Sequence, residues 1–274
     1  MTNLSRSSDT DFNRAALLLR SPRRAAIGLL SAGALAFTAA CSTNPYTGER
    51  ELAAYDEAEL AEVSADAWAQ LKANTPTITS GPEYNRVMRV WSRVAAVTPK
   101  AGEEWEVVVF DSDEVNAFVM PGNRVGVYRG LLDLVENDDQ LAAVMGHEVA
   151  HAIYRHANQR ATRSAVTSAA IQVGGEVISG QTDGAVTPEQ VNALGSVAGT
   201  LGVVLPYSRN AELEADLAGV DYMHAAGYDA SEAARLWELM ASNSSSRVET
   251  FLSTHPDPAM RRQRILEYIE TKGY

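Results

Sequence analysis

Residues 147–151 read His-Glu-Val-Ala-His and place two histidines four positions apart in a stretch with helical periodicity. At about 100° per residue, a helix brings such positions to within roughly 40° of each other, one turn apart. The imidazoles of His147 and His151 can therefore bind one zinc ion together. Glu148 can reach a water molecule at that metal and accept its proton without being a ligand.

The residues around this pair predict the extent of the helix. Its apolar stripe consists of Leu141, Met145, Val149, Ala152 and Ile153. The residues Asn137-Asp138-Asp139 precede it, and we expect an aspartate to cap its first turn. The histidines lie to one side of the stripe, so we expect them to border a cleft.

A catalytic zinc ion needs a third protein ligand and keeps its fourth position for water. Residues 208–216 read Ser-Arg-Asn-Ala-Glu-Leu-Glu-Ala-Asp and place Glu212 and Asp216 on one helical face, whereas Glu214 points roughly 200° away. Glu212 is the candidate ligand. Asp216 is the candidate partner for the second ring nitrogen of a ligand histidine, which would fix its tautomer. Spacing alone leaves a solvated acidic face as the alternative.

The two motifs together resemble the peptidase family that includes bacterial HtpX, the CAAX prenyl endopeptidase and the mitochondrial Oma protease. Residues 116–122 and 130–132 match that family's strand and the following turn, although Asn123 stands where a second glycine is frequent. The resemblance extends from about Pro82 to Arg264. It implies an α+β fold, a mainly helical zincin-like metallopeptidase domain with a small, mainly antiparallel sheet beside the histidine helix.

The resemblance also implies roles for individual residues. One Zn²⁺ ion would be bound by His147, His151 and Glu212, with Glu148 as general base and later proton donor. The family's edge strand corresponds to residues 116–120, so polypeptide substrates would bind there as extended strands through main-chain hydrogen bonds. The candidate substrate-binding residues are Asn116, Ala117 and Phe118.

The other histidines have different expected roles. His255, followed six residues later by Arg261, matches a recurring feature of the family. It could stabilise the oxyanion of the tetrahedral intermediate, occupy the open zinc position in a resting state, or cap the last helix. His156 lies nine residues past His147, about 180° round the helix, so we expect it to be structural and unable to join the metal. We expect the same of His224.

Periodicity and composition predict the remaining elements. Further helices are expected over residues 51–74, from Pro82 onward, and over 210–226, 231–242 and 258–271. Strands are expected over residues 105–110, 116–120 and 125–128. Residues 164–205 are expected to form two helices joined by a loop, either as a mobile cover over the cleft or as ordinary helical packing.

The first 40 residues are typical of an export signal, because basic residues, among them Arg14, Arg20, Arg23 and Arg24, precede an uncharged, alanine-rich run over residues 25–40. As a helix that run would reach roughly 24 Å, short of a bilayer core of about 30 Å. We expect a signal peptide over residues 1–40, a short tether over 41–51 and the metallopeptidase domain over 52–274.

Cys41 is the only cysteine and follows small residues, as does the acylated cysteine of bacterial lipoproteins, although Thr38 stands where leucine is usual. Residues 41–48 also resemble the start of the soluble, lipid-anchored envelope members of the family. We therefore expect a lipid anchor to the membrane and a location on the periplasmic side of the bacterial cell envelope, as an outer-membrane lipoprotein. A plain cleaved signal with an incidental cysteine is the alternative.

The net charge of the chain and its candidate zinc site together limit the classes of function that we expect. Residues 41–274 carry 18 basic and 33 acidic side chains, so nucleic acid is a poor candidate partner. The leading expectation is a zinc endopeptidase that hydrolyses misfolded or unassembled cell-envelope proteins. The alternative is an envelope chaperone or assembly factor with a mainly structural metal. Glu148 argues against that alternative, because a structural metal site needs no general base.

Overall fold

The computed structural model describes residues 41–179, 207–243, 246–255 and 258–274, so the predicted export signal and much of the predicted cover lie outside the described residues. The helices are α1 (Glu57–Asn74), α2 (Pro82–Ala95), α3 (Arg129–Leu134), α4 (Asp138–Ile153), α5 (His156–Ser179), α6 (Arg209–Ala225), α7 (Ser231–Ser242), α8 (Ser246–Thr254) and α9 (Pro258–Lys272). The strands are β1 (Cys41–Thr43), β2 (Arg50–Leu52), β3 (Thr77–Ile78), β4 (Glu106–Phe110), β5 (Ala117–Met120) and β6 (Arg124–Tyr128). None of the helices in these ranges is long and apolar enough to cross a membrane.

The predicted α+β class with a small, mainly antiparallel sheet is confirmed. Four strands follow the order β3-β4-β6-β5, in which β4 and β6 are parallel and the other two pairs are antiparallel. Gly122 (φ 84°) and Asn123 (φ 57°) form the tight turn between β5 and β6 in the left-handed region. Asparagine tolerates that region better than most residues, which explains how Asn123 can stand in place of glycine. The turn leaves β5 at the edge of the sheet.

Helix α4 lies at the centre of the core. Residues 140–151 and 153 are buried, because α2, α6, α7 and β5 all pack against the helix. The predicted stripe is therefore only part of its buried surface, and the histidine face is enclosed as well. A helix with neighbours on every side needs small residues somewhere along it, and the alanines and Gly146 meet that need.

Two glycines set the distance between α4 and α6. A Cβ atom added to Gly146 would lie 2.6 Å from the carbonyl oxygen of Gly219, and one added to Gly219 would lie 2.8 Å from the main-chain nitrogen of His147. Real Cβ atoms do not approach backbone this closely, so glycine at both positions is what allows the two backbones to touch. The close crossing places the first turns of α6 beside the histidine pair.

The cap of α4 differs from the prediction. Asn137, in extended conformation, accepts a hydrogen bond from the main-chain N–H of Gln140 at 2.8 Å, so asparagine and not an aspartate is the cap. Asp138 and Asp139 instead occupy the first turn, where negative charge is favourable. Asp138 also pairs with Arg86 at 2.9 Å and with Arg89 at 2.8 Å, which ties α2 to the start of α4.

The segment predicted as a plain tether is folded against the end of α4. Strands β1 and β2 pair with each other, and the buried side chain of Asn44 donates to the carbonyl oxygen of Ile153 at 2.8 Å. Its amide oxygen accepts from the N–H groups of Tyr46 and Thr47. Because residues 50–52 pair as a strand, the first helix begins at Glu57 with Asp56 as its cap, and not at residue 51.

Candidate metal centre

Four buried side chains from three elements converge on one point. His147 and His151 come from α4, Glu212 from α6 and His255 from the end of α8. Their donor atoms all lie within 4.8 Å of one another. The three ligands that the sequence proposed are thus together, although His147 and Glu212 are far apart in the chain. This group of four residues is called the donor group below.

Some distances within the donor group fit a metal ion. Nε2 of His147 lies 2.9 Å from Nε2 of His151, and the Glu212 carboxylate oxygens lie 3.5 Å from each of these nitrogens. Tetrahedral zinc with bonds of about 2.0–2.2 Å holds its donors about 3.3–3.6 Å apart, so the carboxylate–histidine distances match such a site and the two histidine nitrogens lie closer together than it requires. Nitrogen and carboxylate donors are also the types that zinc accepts. The donor group therefore has the chemistry of a metal site.

His255 lies in the donor group rather than at the start of the last helix. Its Nδ1 is 3.2 Å from Nε2 of His147 and 3.0 Å from Oε2 of Glu212, while its Nε2 is 3.7 Å from Oε1 of Glu148. Burial alone would lower the pKa of His255, but the nearby Glu212 carboxylate outweighs it and the pKa is raised. Of the roles left open for this residue, the geometry favours that of a fourth donor.

Glu148 is buried next to the donor group and is incompletely hydrogen-bonded. The main-chain N–H of Val119, on the edge strand, donates to its carboxylate. Its Oε1 atom has no hydrogen-bond partner among the described residues. Burial raises the pKa of Glu148 to about 7. A carboxyl group with one open oxygen and a pKa near neutrality can both accept and release a proton.

Asp216 contacts the ligand histidine as proposed, and Arg261 completes a network that the sequence did not reveal. Oδ1 of Asp216 lies 3.0 Å from Nδ1 of His147. Arg261 donates two hydrogen bonds to Asp216, at 2.7 and 2.6 Å, and its Nη1 lies 2.6 Å from Oε2 of Glu212. Its guanidinium also lies over the ring of Trp237, 3.6 Å from the ring centre.

This cation accounts for the ionisation of both carboxylates. Burial would raise the pKa of Glu212, but His255 and Arg261 lower it to about 2. Burial likewise would raise the pKa of Asp216, and Arg261 instead holds it below its ordinary value. Arg261 was noted in the sequence only as part of a motif with His255. A lone arginine in a polar helix gives no signal of burial, so its contacts had to come from the fold.

The candidate substrate-binding residues line a cleft beside β5 that also contains Glu148 and His255. Asn116 lines it with a side-chain oxygen that has no hydrogen-bond partner among the described residues. Phe118 differs, because its ring packs against Trp68 in a second small core. Phe118 and Ala117 can therefore contribute to the cleft mainly through their main chain.

The two remaining histidines have different surroundings. His224 is exposed and stacks on Tyr274, with ring centres 3.9 Å apart. His156 is absent from the donor group, as expected, but its Nδ1 lies 2.7 Å from Nδ1 of His151. The prediction missed this contact because it assumed one continuous helix, whereas α4 ends at Ile153 and α5 begins at His156.

Comparison with known proteins places these residues in a family. The family model described as Peptidase family M48 matches residues 83–269. A mitochondrial metalloendopeptidase OMA1 from Schizosaccharomyces pombe is 34% identical over 187 residues, which are 67% of this chain and 52% of the relative. The OMA1 protein from Arabidopsis thaliana is also 34% identical, over 63% of this chain and 33% of its own length. The beta-barrel assembly-enhancing protease from Escherichia coli is 28% identical over 70% of this chain and 40% of its own length.

These relatives correct one prediction and confirm another. The chain spans about half the length of these relatives or less. The predicted location, on the periplasmic side of a bacterial envelope as an outer-membrane lipoprotein, is wrong by this comparison, because the matches at 34% identity are to mitochondrial proteins. Acylation of Cys41, a half-buried residue at the start of β1, stays a prediction. The predicted resemblance is confirmed, since the matched region contains the histidine pair, Glu212 and His255: the chain belongs to peptidase family M48.

Proposed function

We propose that the chain is a zinc-dependent endopeptidase in which His147, His151 and Glu212 hold the metal and Glu148 is the general base. One observation carries the proposal: four buried donors meet within 4.8 Å beside a carboxylate that has an open oxygen. A structural zinc site would need the donors but not Glu148. The position of Glu148 also favours catalysis, because Glu148 lines the same cleft as the edge strand β5.

The chain's own residues perform the proton transfers. Zinc, when bound, would make a water molecule more acidic and polarise the scissile carbonyl. Glu148 accepts the proton of the attacking water at its open Oε1 and passes it to the amide nitrogen that leaves. The hydrogen bond from the main chain of Val119 favours the ionised form of the carboxyl group, which is the form that accepts a proton.

Asp216 and Arg261 keep the metal-binding residues in place during this cycle. Asp216 accepts from the Nδ1–H of His147, which leaves Nε2 of that histidine free to bind the metal. Arg261 forms ion pairs with both Asp216 and Glu212. Without it, two carboxylates would be buried close together with no cation of the chain between them.

His255 is the fourth member of the donor group, so it would take the metal position that water or substrate needs. It would hold the metal with the other three residues in a resting state and would have to move aside before the reaction begins. Its Nε2, already near Glu148, could then approach the oxyanion of the tetrahedral intermediate.

The substrate is proposed to be an extended polypeptide segment. Among the residues that the structure describes, β5 pairs with β6 on one side only, so its other edge can form main-chain hydrogen bonds with a peptide. Main-chain recognition tolerates many side chains but requires a segment without stable structure of its own. Misfolded or unassembled proteins provide such segments, and we propose them as the substrate class.

The Glu148→Gln variant tests the proposed reaction. It keeps the size and one hydrogen-bond acceptor of the side chain but cannot accept a proton. We expect it to bind zinc like the wild type and to lose about 10²–10⁴-fold in the rate of casein hydrolysis. The His224→Gln variant is the matched control, because His224 is exposed and distant from the donor group, and it should keep full activity. Full activity of Glu148→Gln would contradict the mechanism, whereas absence of casein hydrolysis by the zinc-loaded wild type would favour the chaperone alternative.

A further inference from the structure

A break between two helices brings His156 against the metal-binding histidine His151. Five residues along one continuous helix would separate the two side chains by about 140°. Instead, α4 ends at Ile153 and α5 begins at His156, and Arg155 between them has φ 53°. Such a left-handed conformation is uncommon for a residue with a side chain and persists only where the surroundings hold it.

The segment before α1 and the first residue of that helix supply those surroundings. The guanidinium of Arg155 lies 2.7 Å from Oε1 of Glu57 and 2.9 Å from Oε1 of Glu51, and it donates to the hydroxyl of Ser42 at 3.1 Å. The side-chain amide of Asn44 donates to the last carbonyl of α4, that of Ile153, at 2.8 Å. The helix break is thus built into the fold by contacts on both of its sides.

The contacts of His156 form a chain of hydrogen bonds that ends in a carboxylate. His156 Nδ1 lies 2.7 Å from His151 Nδ1, and His156 Nε2 lies 2.9 Å from Oε2 of Glu214. His151 directs its Nε2 into the donor group, so in the neutral tautomer its proton is on Nδ1. His156 must then accept at Nδ1 and donate from Nε2 to Glu214. In this assignment Nδ1 of His151 and both ring nitrogens of His156 each have one hydrogen-bond partner, and each of the two hydrogen bonds has one proton.

His147, the other proposed ligand histidine, is oriented in a similar way, but its carboxylate partner contacts it directly and no second histidine lies between them. His147 directs Nε2 into the donor group and its Nδ1 to the carboxylate of Asp216 at 3.0 Å. Both imidazoles are therefore oriented through Nδ1 by a carboxylate, directly in one case and through His156 in the other. Partners of this kind set the tautomer and the ring orientation of a metal ligand.

We infer that His156, supported by Glu214, is a positioning residue that fixes the orientation and tautomer of His151 for metal binding. The inference rests on the proposed metal site and adds a role that its residues do not include. His156 is 1% exposed at its side chain and touches no other member of the donor group, so it acts only through His151. Glu214, 38% exposed at its side chain, connects the buried pair to the surface.

The test compares His156→Phe, His156→Gln and Glu214→Ala with wild type. Phenylalanine keeps the ring but removes both nitrogens, whereas glutamine still offers an oxygen to the Nδ1–H of His151. The His224→Phe variant is the control for replacing a histidine ring on the surface. Zinc affinity would be measured by competition with a chromophoric chelator, and ligand geometry by the absorption spectrum of the Co²⁺-loaded protein. Steady-state kinetics on casein would separate kcat from KM.

We expect His156→Phe to weaken zinc binding by about 10–100-fold and to change the Co²⁺ spectrum. His156→Gln should keep most of the zinc affinity. Glu214→Ala should lose less zinc affinity than His156→Phe, and His224→Phe should bind zinc as tightly as wild type. Activity at saturating zinc should fall in kcat with KM unchanged, because the substrate does not contact His156.

Wild-type zinc affinity and an unchanged Co²⁺ spectrum in His156→Phe would overturn the inference and leave the proposed function intact. If circular dichroism shows that His156→Phe does not fold, the Glu214→Ala variant becomes the test. A zinc affinity equal to that of wild type in Glu214→Ala would then overturn the inference. Failure of the wild-type protein itself to bind zinc would instead remove the proposed function.

Discussion

At the scale of single residues, the site depends on charges that are buried and balanced. Glu212, Asp216 and Arg261 each have a side chain at most 2% exposed, and Arg261 lies between the two carboxylates. Buried ions are costly unless each is paired and hydrogen-bonded. The bidentate contact with Asp216 and the ring of Trp237 beneath the guanidinium favour arginine over lysine at this position.

Arg261→Met is expected to destabilise the protein by about 3–5 kcal/mol, because it leaves buried carboxylates without their cation. Urea unfolding of the apo proteins measures this directly. Arg264→Met is the matched control, since Arg264 is exposed and its one ion pair in the described part of the chain is with Glu267, three residues later, and it should change stability by less than about 0.5 kcal/mol. Similar stabilities for the two variants would show that Arg261 is not needed to balance the buried charges.

At the scale of helices and strands, the position of the third ligand is set by the contact between α4 and α6. Glu212 lies in the first turn of α6, and the crossing of the two helices at Gly146 and Gly219 brings that turn to the histidines. Neither glycine has a positive φ, so the need is for space and not for backbone freedom. Any side chain at the crossing has to push the helices apart.

Gly219→Ala is therefore expected to cost about 1–3 kcal/mol in stability and to weaken zinc binding, because the added methyl group would lie 2.8 Å from the main-chain nitrogen of His147. Ala225→Leu, at an exposed position of the same helix, adds more atoms without a contact to α4 and should behave like wild type. Thermal unfolding and zinc titration check both variants. Unchanged zinc affinity in Gly219→Ala would contradict the link between the crossing and Glu212.

Also at this scale, Asn44→Ala is expected to destabilise the fold by about 1–3 kcal/mol. The change leaves the buried carbonyl of Ile153 and the N–H groups of two turn residues without their partner. Asn85→Ala, on the exposed face of α2, should be nearly neutral. Chemical denaturation compares the two. An equally small effect at Asn44 would mean that the segment before α1 behaves as the plain tether predicted from its composition.

The helices with strong periodicity were predictable, and the places where the chain turns were not. The bounds of α7 were predicted without error, and those of α6 and α9 to within one residue. In contrast, composition described residues 41–51 as a tether, because the burial of Asn44 depends on contacts with residues more than a hundred positions away. The break at Arg155 was equally invisible, since nothing local favours φ 53° at an arginine.

The site shows the same division between local and distant information. Spacing and resemblance were enough to propose His147, Glu148, His151 and Glu212. The two histidines lie one turn apart on one helix, and Glu212 lies one turn before Asp216 on another. His156 and Arg261 could not be proposed in this way, since their roles follow from a helix break and from the packing of the last helix against α6. The geometry of residues that act through others is a property of the tertiary structure.

At the scale of the whole molecule, the fold buries the four-residue donor group and places the edge strand β5 beside it. The donor group joins α4, α6 and α8, and Arg261 adds α9, so the metal would hold together elements from both halves of the chain. Binding to the folded state alone stabilises a protein in proportion to the logarithm of ligand concentration. Zinc should therefore raise the unfolding temperature as well as activity.

The most direct test of the central claim is a titration of the metal-free protein with zinc, following casein hydrolysis and bound metal together. We expect no hydrolysis after complete chelation. We expect the rate of hydrolysis to rise linearly with bound zinc up to one ion per chain, with the unfolding temperature rising in step. Hydrolysis that persists in protein shown to contain no metal, or full zinc loading that leaves both wild-type and Glu148→Gln proteins equally active, would contradict it.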